Sequence, residues 1–386
     1  MKLFKSLLVA PAALGLLSPF SVSASEVNLN EISNYSDVES MEFANSFSNE
    51  DSKNKTLLAG GEGLVDDHSH DGSFSETTTA SFSTDFYLGS EDDDDAAVPD
   101  NDDAVAAGYS FQIDLNTSFT GEDSLDISLD AGTPAGLIND RFDGNSGGDG
   151  LTVDGVAYTF PLGDKTTVIA GIDTDGSALF TTACVYGGPS DMLDDCANVN
   201  AGITGGGATV GGAYDFGNGL TAAFGAQTTE ASVFTEESDD QYALNAAYTA
   251  DKYAISLTYG VDENAALTDE NKFTAINAYY TPDSEGLPSI SVGYEFGDIG
   301  GVRSGADEQS SFMVGLTWDE VGPGSAGVAA GHSNTNESAD ELYQYEAYYA
   351  YPVNDSMTIT PLIYTLDATG NRDDTTGMMV KTSFVF

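Results

Sequence analysis

The residues with the most reactive side chains are few, and the two cysteines are the most informative of them. Cys184 and Cys196 lie in one short segment, CVYGGPSDMLDDC. In an exported protein, two cysteines this close favour a local disulfide. A zinc site is the weaker alternative, because two thiolates without a nearby histidine make a poor ligand set. The spacing therefore predicts a disulfide between Cys184 and Cys196 within a single loop.

Histidine and calcium-loop patterns give no sign of a catalytic or metal site. His68, His70 and His332 are the only histidines, and none belongs to a Ser-His-Asp or metal-binding pattern. His68 and His70 stand among aspartates, where a solvated acidic linker is favoured over a metal site. The DTDGS segment at residues 173–177 lacks the remaining ligands of a calcium loop. We therefore predict no catalytic residues, no metal site and no cofactor.

Carboxylates are the abundant chemical group in this chain. Asp and Glu number 63 against 11 Lys and Arg, which gives a formal net charge of -52. Such a surface repels nucleic acid and attracts cations. A disordered acidic chain lacks aromatic residues, whereas this one has 19 Tyr and 20 Phe. The composition predicts a folded protein that meets cations and has no nucleic-acid partner.

The first residues have the pattern of an export signal. Two lysines precede a short apolar run, and small residues end it at Ala24, so we expect a signal peptide over residues 1–24. Residues 25–74 are polar, acidic and weakly periodic, which indicates a periplasmic segment with little core. No later stretch reaches the roughly 18 apolar residues that a transmembrane helix needs. A membrane-embedded domain over residues 75–386 would therefore be a barrel.

Apolar and polar residues alternate in most of the later segments. In GYSFQIDLNTSF, Tyr109, Phe111 and Ile113 fall on one face, with Ser110 and Gln112 opposite. Alternation over about ten residues predicts a strand with one wet face. About sixteen such segments follow one another along the chain.

Connector lengths distinguish a barrel from a sandwich. Short turns such as PLGD, DFGNG and VNDS alternate with long acidic connectors such as EDDDDAAVPDNDDA and DATGNRDDTTG. A sandwich has no reason to place every long loop at one end, whereas outer-membrane barrels have short periplasmic turns and long external loops. The predicted fold class is all-β: a transmembrane antiparallel β-barrel of about sixteen strands.

The last residues, KTSFVF, fit the closing strand of such a barrel. Phe384 and Phe386 are expected to face lipid, while Lys381 and Ser383 face water. Pairing of the last strand with the first would leave no open edge in the bilayer.

Several segments resemble the cyanobacterial outer-membrane porins of the iron-uptake type, within the wider carbohydrate-selective porin family. They are MKLFKSLLVAPAALGLLSP, SFSETTTASFSTDFYLGS, VDGVAYTFPLGDKTTVIAG and the terminal SFVF. The resemblance implies a cell outer membrane location and a homotrimer. The family usually carries a surface-layer-homology module between signal and barrel. Residues 25–74 are too short for that module and lack its pattern, which puts cell-wall anchoring in doubt.

A barrel of about sixteen strands leaves an aqueous passage, whose charges set its selectivity. A third loop commonly folds inward in porins of this size, so the longest connector, residues 173–204, is the candidate constriction. An ordinary external loop with a disulfide is the alternative. The predicted constriction residues are Asp173, Asp175, Asp191, Asp194 and Asp195. The predicted lumen-lining residues are Asp85, Asp114, Asp126, Asp130, Glu295 and Glu346.

Basic residues are scarce in the predicted bore. Lys165, Lys252, Lys272 and Lys381 stand at or near strand ends. The arginines Arg141, Arg303 and Arg372 fall in long connectors. No ladder of arginines opposes the carboxylates, so the imbalance predicts a preference for cations.

The expected function is passive diffusion of inorganic ions and small polar solutes through an outer-membrane porin in contact with lipid. A substrate-specific channel for sugars or iron species is the alternative, and it would need aromatic residues along the lumen, where Tyr87 and Tyr348 are the candidates. A secreted calcium-binding β-rich adhesin would show glycine-aspartate nonapeptide repeats, and none are present. An outer-membrane enzyme is disfavoured because no nucleophile-base set is visible.

Overall fold

The computed structural model describes residues 78–92, 104–133, 141–142, 144, 148–204, 206–228, 233, 239–263, 270–284, 286–300, 307–337, 339–368 and 374–386. The predicted signal peptide over residues 1–24 and the segment 25–74 lie outside the described residues. His68, His70, Arg303 and Arg372 lie outside them as well.

Within the described ranges the chain forms sixteen strands in one closed sheet. The strands are β1 (Thr78–Asp92), β2 (Ala106–Thr117), β3 (Ser124–Gly132), β4 (Gly148–Pro161), β5 (Thr166–Ile172), β6 (Ala208–Gly217), β7 (Leu220–Thr228), β8 (Asp240–Thr249), β9 (Tyr253–Asp262), β10 (Asn271–Tyr280), β11 (Ser289–Asp298), β12 (Glu308–Val321), β13 (Gly324–Asn336), β14 (Gln344–Asn354), β15 (Met357–Leu366) and β16 (Thr375–Val385). Each strand pairs antiparallel with its neighbour in the chain, and β16 pairs with β1. Among the residues described, no helix is long and apolar enough to cross a membrane.

The last residue closes the barrel. Phe82 and Phe386 exchange two backbone hydrogen bonds of 3.0 Å, and their rings stack at 5.7 Å. Phe384 packs edge-on against Phe86 at 5.9 Å. Phe386 is 69% exposed on the outside of the barrel. The prediction of a closing C-terminal strand is therefore confirmed.

The outer face of the barrel is the apolar one. In β9 the exposed residues include Ile255, Leu257 and Tyr259, whereas the buried ones between them include Ser256 and Thr258. This is the reverse of a water-soluble barrel, and it gives the outward apolar band that a bilayer requires.

The connector between β5 and β6, described at residues 173–204 and 206–207, lies inside the barrel, and we name it the inner loop. Its backbone N–H groups donate to side chains on the inner wall, to Asn245 of β8, Ser256 of β9 and Ser291 of β11, at 3.0–3.1 Å. The amide of Asn277 in β10 donates in turn to the carbonyl oxygen of Cys196 at 2.7 Å. The wall thus supplies the hydrogen bonds that an irregular backbone needs when it is buried.

Two glycines of the wall let the inner loop approach closely. A Cβ atom added to Gly225 of β7 would overlap the carbonyl oxygen of Gly176, and one added to Gly293 of β11 would overlap that of Cys196. Since any other residue carries a Cβ, these two strands can receive the loop backbone only where they have glycine.

Substitution of Gly293 by Ala tests this seating of the loop. The added methyl group would overlap the backbone carbonyl oxygen of Cys196. A flexible side chain could rotate away, but a backbone atom cannot, so the whole Cys196 arm must shift away from β11. We expect reduction of the Cys184–Cys196 disulfide in the folded, detergent-solubilised protein to accelerate by about tenfold, as overpacking of about 1–3 kcal/mol implies. Thiol labelling after timed exposure to a water-soluble phosphine measures the rate.

Gly150→Ala in β4 is the matched control, because no heavy atom lies within 4 Å of its added Cβ. Equal reduction rates in the two variants and the wild type would contradict a tight seat at Gly293.

Candidate pore lining

The inner face of the first three strands carries aspartates held by neutral side chains. Asp114 accepts hydrogen bonds from Gln112 at 2.7 Å and from Ser128 at 2.8 Å. Asp126 accepts hydrogen bonds from the neutral side chains of Asn116 and Ser124. Asp130 accepts one from the hydroxyl of Thr152. All three are partly exposed. Because their hydrogen-bond donors are uncharged, the negative charge of this wall is kept.

Asp85 shares this face but has a charged partner. Its carboxylate lies 3.3 Å from the ammonium group of Lys381, which also sits 5.8 Å from the centre of the Tyr87 ring. Lys381 faces the interior, as the alternation in the closing strand predicts, and its charge is offset locally by Asp85. This pair therefore adds little net charge to the bore.

Glu295 and Glu346 also face inward, but the inner loop covers them. They are only 1% and 4% exposed. Glu295 accepts the backbone N–H groups of Asn200 and Ala201 at 2.8 Å, and the Asn200 amide at 2.7 Å. The strand alternation predicts their direction, yet these two carboxylates hold the loop and do not line open water.

The five aspartates expected at the constriction fall into two groups. Asp173 and Asp175 lie at the base of the inner loop, where Asp173 N–H donates to the Gly207 carbonyl at 2.9 Å. Asp191, Asp194 and Asp195 lie on the part of the loop next to β12, β13 and β14, and all three are exposed. Only this second group concentrates charge within the barrel.

The grouping of these acids changes the acidity of Asp194. Partial enclosure by the barrel wall raises the pKa of Asp194 first, and the negative charges of Asp195, Asp191 and Glu346 raise it further, to about 7. The side chain keeps contact with water while protein surrounds it closely. Asp194 is therefore a group that changes charge near neutral pH.

The predicted disulfide between Cys184 and Cys196 is present, with the two Cα atoms 6.4 Å apart. It joins the outgoing and returning arms of the inner loop. The Cys196 side packs in a buried cluster with Tyr186, Leu193 and Met313. A ring of this size stabilises by about 3 kcal/mol in the chain-entropy model.

Two described residues between β3 and β4, Arg141 and Phe142, also lie inside the barrel, and the sequence does not predict their position. Phe142 is 1% exposed, and its ring lies 4.9 Å from the Tyr87 ring, in a cluster with Leu362, Tyr364 and Met379. The sequence signal is one aromatic residue within an otherwise polar and acidic connector, DRFDGN.

Arg141, next to Phe142, brings a positive charge to the inner loop. Its Nε donates to Glu91 at 2.5 Å, and its carbonyl oxygen accepts the Asp191 N–H at 3.0 Å. The guanidinium group also lies 5.8 Å from the centre of the Tyr364 ring. The sequence predicts that Arg141 lies in an external connector, whereas it lies beside the candidate constriction.

Comparisons with known proteins show the fold. No protein-family model matches the chain, and no curated protein matches it. The high-pH structure of Pseudomonas putida OprB superposes with a TM-score of 0.58 at 11% identity, covering 80% of this chain and 94% of that chain. A multiply substituted Rh. blastica porin gives a TM-score of 0.55 at 13% identity, covering 80% and 100%. These likenesses confirm the predicted barrel, and with its apolar outer face the chain has the fold of an outer-membrane porin.

Proposed function

We propose that the barrel is a passive channel of the outer membrane for inorganic ions and small polar solutes, with a preference for cations. The observation that carries the proposal is the sign of the charges that face the bore. Asp114, Asp126 and Asp130 accept hydrogen bonds from neutral groups on one wall. The inner loop adds the exposed acids Asp191, Asp194 and Asp195.

Within the described ranges, the two basic residues near the bore are offset by carboxylates. Lys381 pairs with Asp85, and Arg141 pairs with Glu91. A permeating ion therefore meets a negative potential, which raises the local concentration of cations and lowers that of anions. A channel needs no catalytic group, and the barrel fold favours a channel over an enzyme.

A substrate-specific channel for sugars or iron species has less support. Such a channel needs aromatic rings along the water-filled path. Tyr87 packs under Phe142, and Tyr348 packs against the ring of Tyr186 at 6.0 Å. Both candidate tyrosines thus serve the packing of Phe142 and of the inner loop.

We also propose a homotrimer and a relation to iron-uptake porins, both of which rest on the sequence resemblance. The proposed signal peptide over residues 1–24 rests on its basic and apolar pattern, and the proposed periplasmic role of residues 25–74 rests on their polar, acidic composition.

The cation preference is tested by neutralising the acidic wall. We expect the triple variant Asp114→Asn, Asp126→Asn, Asp130→Asn to lower the cation-to-anion permeability ratio by at least about twofold, because each charge lies close to the ion path. Reversal potentials in planar bilayers under a KCl gradient measure the ratio.

The matched control removes the same charge from short turns outside the bore, with Asp164→Asn, Asp251→Asn and Asp355→Asn, all exposed. It should behave as the wild type. Anion selectivity of the wild type at neutral pH would overturn the proposed preference.

The raised pKa of Asp194 predicts a pH dependence of the same quantity. An acid with a pKa of about 7 is charged above that pH and neutral below it. Cation preference should therefore fall as the pH is lowered from about 8 to about 6. Reversal potentials measured across this range follow the titration.

In Asp194→Asn the change over this interval should disappear, with the preference fixed at a lower value. Asp191→Asn should move the midpoint to lower pH, because one of the charges that raise the pKa is gone. A wild-type profile that stays flat between about pH 8 and pH 6 would count against this role for Asp194.

A further inference from the structure

We propose that Glu346 is a positioning residue that sets the width of the passage by holding the loop tip, residues 185–195, against β14. The proposal rests on the proposed function as a channel. It assigns to this carboxylate a role different from that of the water-facing aspartates, although all of them stand on the inner face of the barrel.

The two oxygens of Glu346 bind two different residues of the loop tip. Oε1 accepts the hydroxyl of Tyr186, and Oε2 accepts the hydroxyl of Ser190. All three side chains are buried, at 4% exposure or less. A buried carboxylate without donors is strongly disfavoured, so these two hydroxyl groups and Glu346 depend on one another.

The shape of the tip matches this attachment. A Cβ atom on Gly188 would overlap Glu346 Oε1, so the carboxylate enters the space that glycine leaves. On the other side, a Cβ atom on Gly315 of β12 would lie 2.6 Å from Cδ2 of the Tyr186 ring. The tip is thus seated by two glycines, one in the loop and one in the wall.

The other attachments of the inner loop bind mainly its backbone. Ser256 accepts from the outgoing arm at Ala183, and Glu295 accepts from the returning arm at Asn200 and Ala201. Backbone contacts also reach the tip itself, at Tyr186, which donates to Ser291, and at Asp191, which donates to the Arg141 carbonyl. Glu346 is the strand carboxylate that binds side chains within the tip. The disulfide joins the residues that flank the tip, so the tip is a closed ring that shifts about these backbone contacts when Glu346 releases it.

Release of the tip has a direct consequence for the passage. The tip carries Asp191, Asp194 and Asp195, all of which are exposed. If it leaves β14, its bulk and these charges move into the space between the inner loop and the acidic wall of β1 to β3. The open channel then samples levels of lower conductance.

Single-channel recording in KCl tests the role of Glu346 with variants that separate position from charge. Glu346→Ala removes both acceptors. Gly188→Ala displaces the carboxylate without changing any charge. Tyr186→Phe removes one hydroxyl and keeps the ring, and we expect it to raise the occupancy of lower-conductance levels about fivefold, as the loss of one net hydrogen bond implies.

Glu346→Gln provides the rescue. It has lost the charge, as Glu346→Ala has, but its amide still accepts from Tyr186 and can donate to the Ser190 oxygen. We expect conductance levels close to the wild type in Glu346→Gln, and frequent lower levels in Glu346→Ala and Gly188→Ala. Asp114→Asn is the control for charge alone, and it should shift the reversal potential without adding levels.

Heat-modifiable migration on gels establishes that each barrel is folded, and Tyr186→Phe serves if the more severe variants do not assemble. If Tyr186→Phe and the folded Gly188→Ala both showed the same conductance levels as the wild type, the proposed role of Glu346 would be overturned. If lower-conductance levels were as frequent in Glu346→Gln as in Glu346→Ala, the effect would be due to charge. That result would also overturn the positioning role of Glu346. A wild-type barrel that does not conduct at all would instead refute the proposed channel.

Discussion

In a bilayer, every backbone N–H and C=O group must find its partner within the protein, and this requirement shapes the whole molecule. The chain meets it by pairing β16 with β1, so that no strand edge faces lipid. Closure at Phe82 and Phe386 then fixes which side of each strand is inside. Because side chains alternate, the apolar set contacts lipid and the polar set contacts the interior, and the polar set becomes available for selectivity.

The interior has to accommodate an irregular backbone under the same requirement. The inner loop has no ladder of its own, so hydroxyl and amide side chains of the wall, such as Ser256, Ser291 and Asn277, satisfy its backbone groups. Gly225 and Gly293 of the wall let the backbone of the inner loop pack directly against the strands. Where the inner loop covers the wall, small and polar residues are needed to make room for the loop backbone and to bind it. Where the wall faces water, polar residues instead set its charge.

The sequence predicts those features that depend on local pattern. Period-two alternation predicts the strands and the inward direction of Glu295, and two nearby cysteines predict the disulfide. Alternation reports which way a side chain points, but it carries no information about what covers it, so the burial of Glu295 and Glu346 under the loop is not predictable. Arg141 and Phe142 are missed for a related reason, since the path of a long connector depends on tertiary contacts such as the packing of Phe142 under Tyr87.

Net charge is a poor guide to what a permeating ion experiences. The formal charge of -52 includes acids of the long connectors, and at physiological ionic strength a charge is largely screened beyond about 8 Å of water. Inside the barrel, Lys381 offsets Asp85 and Arg141 offsets Glu91, while Glu295 and Glu346 are taken up by the inner loop. In the proposed channel, the field along the passage therefore comes from Asp114, Asp126 and Asp130 and from the acids of the loop tip. On that proposal, where the tip is held decides how closely the two acidic surfaces face each other.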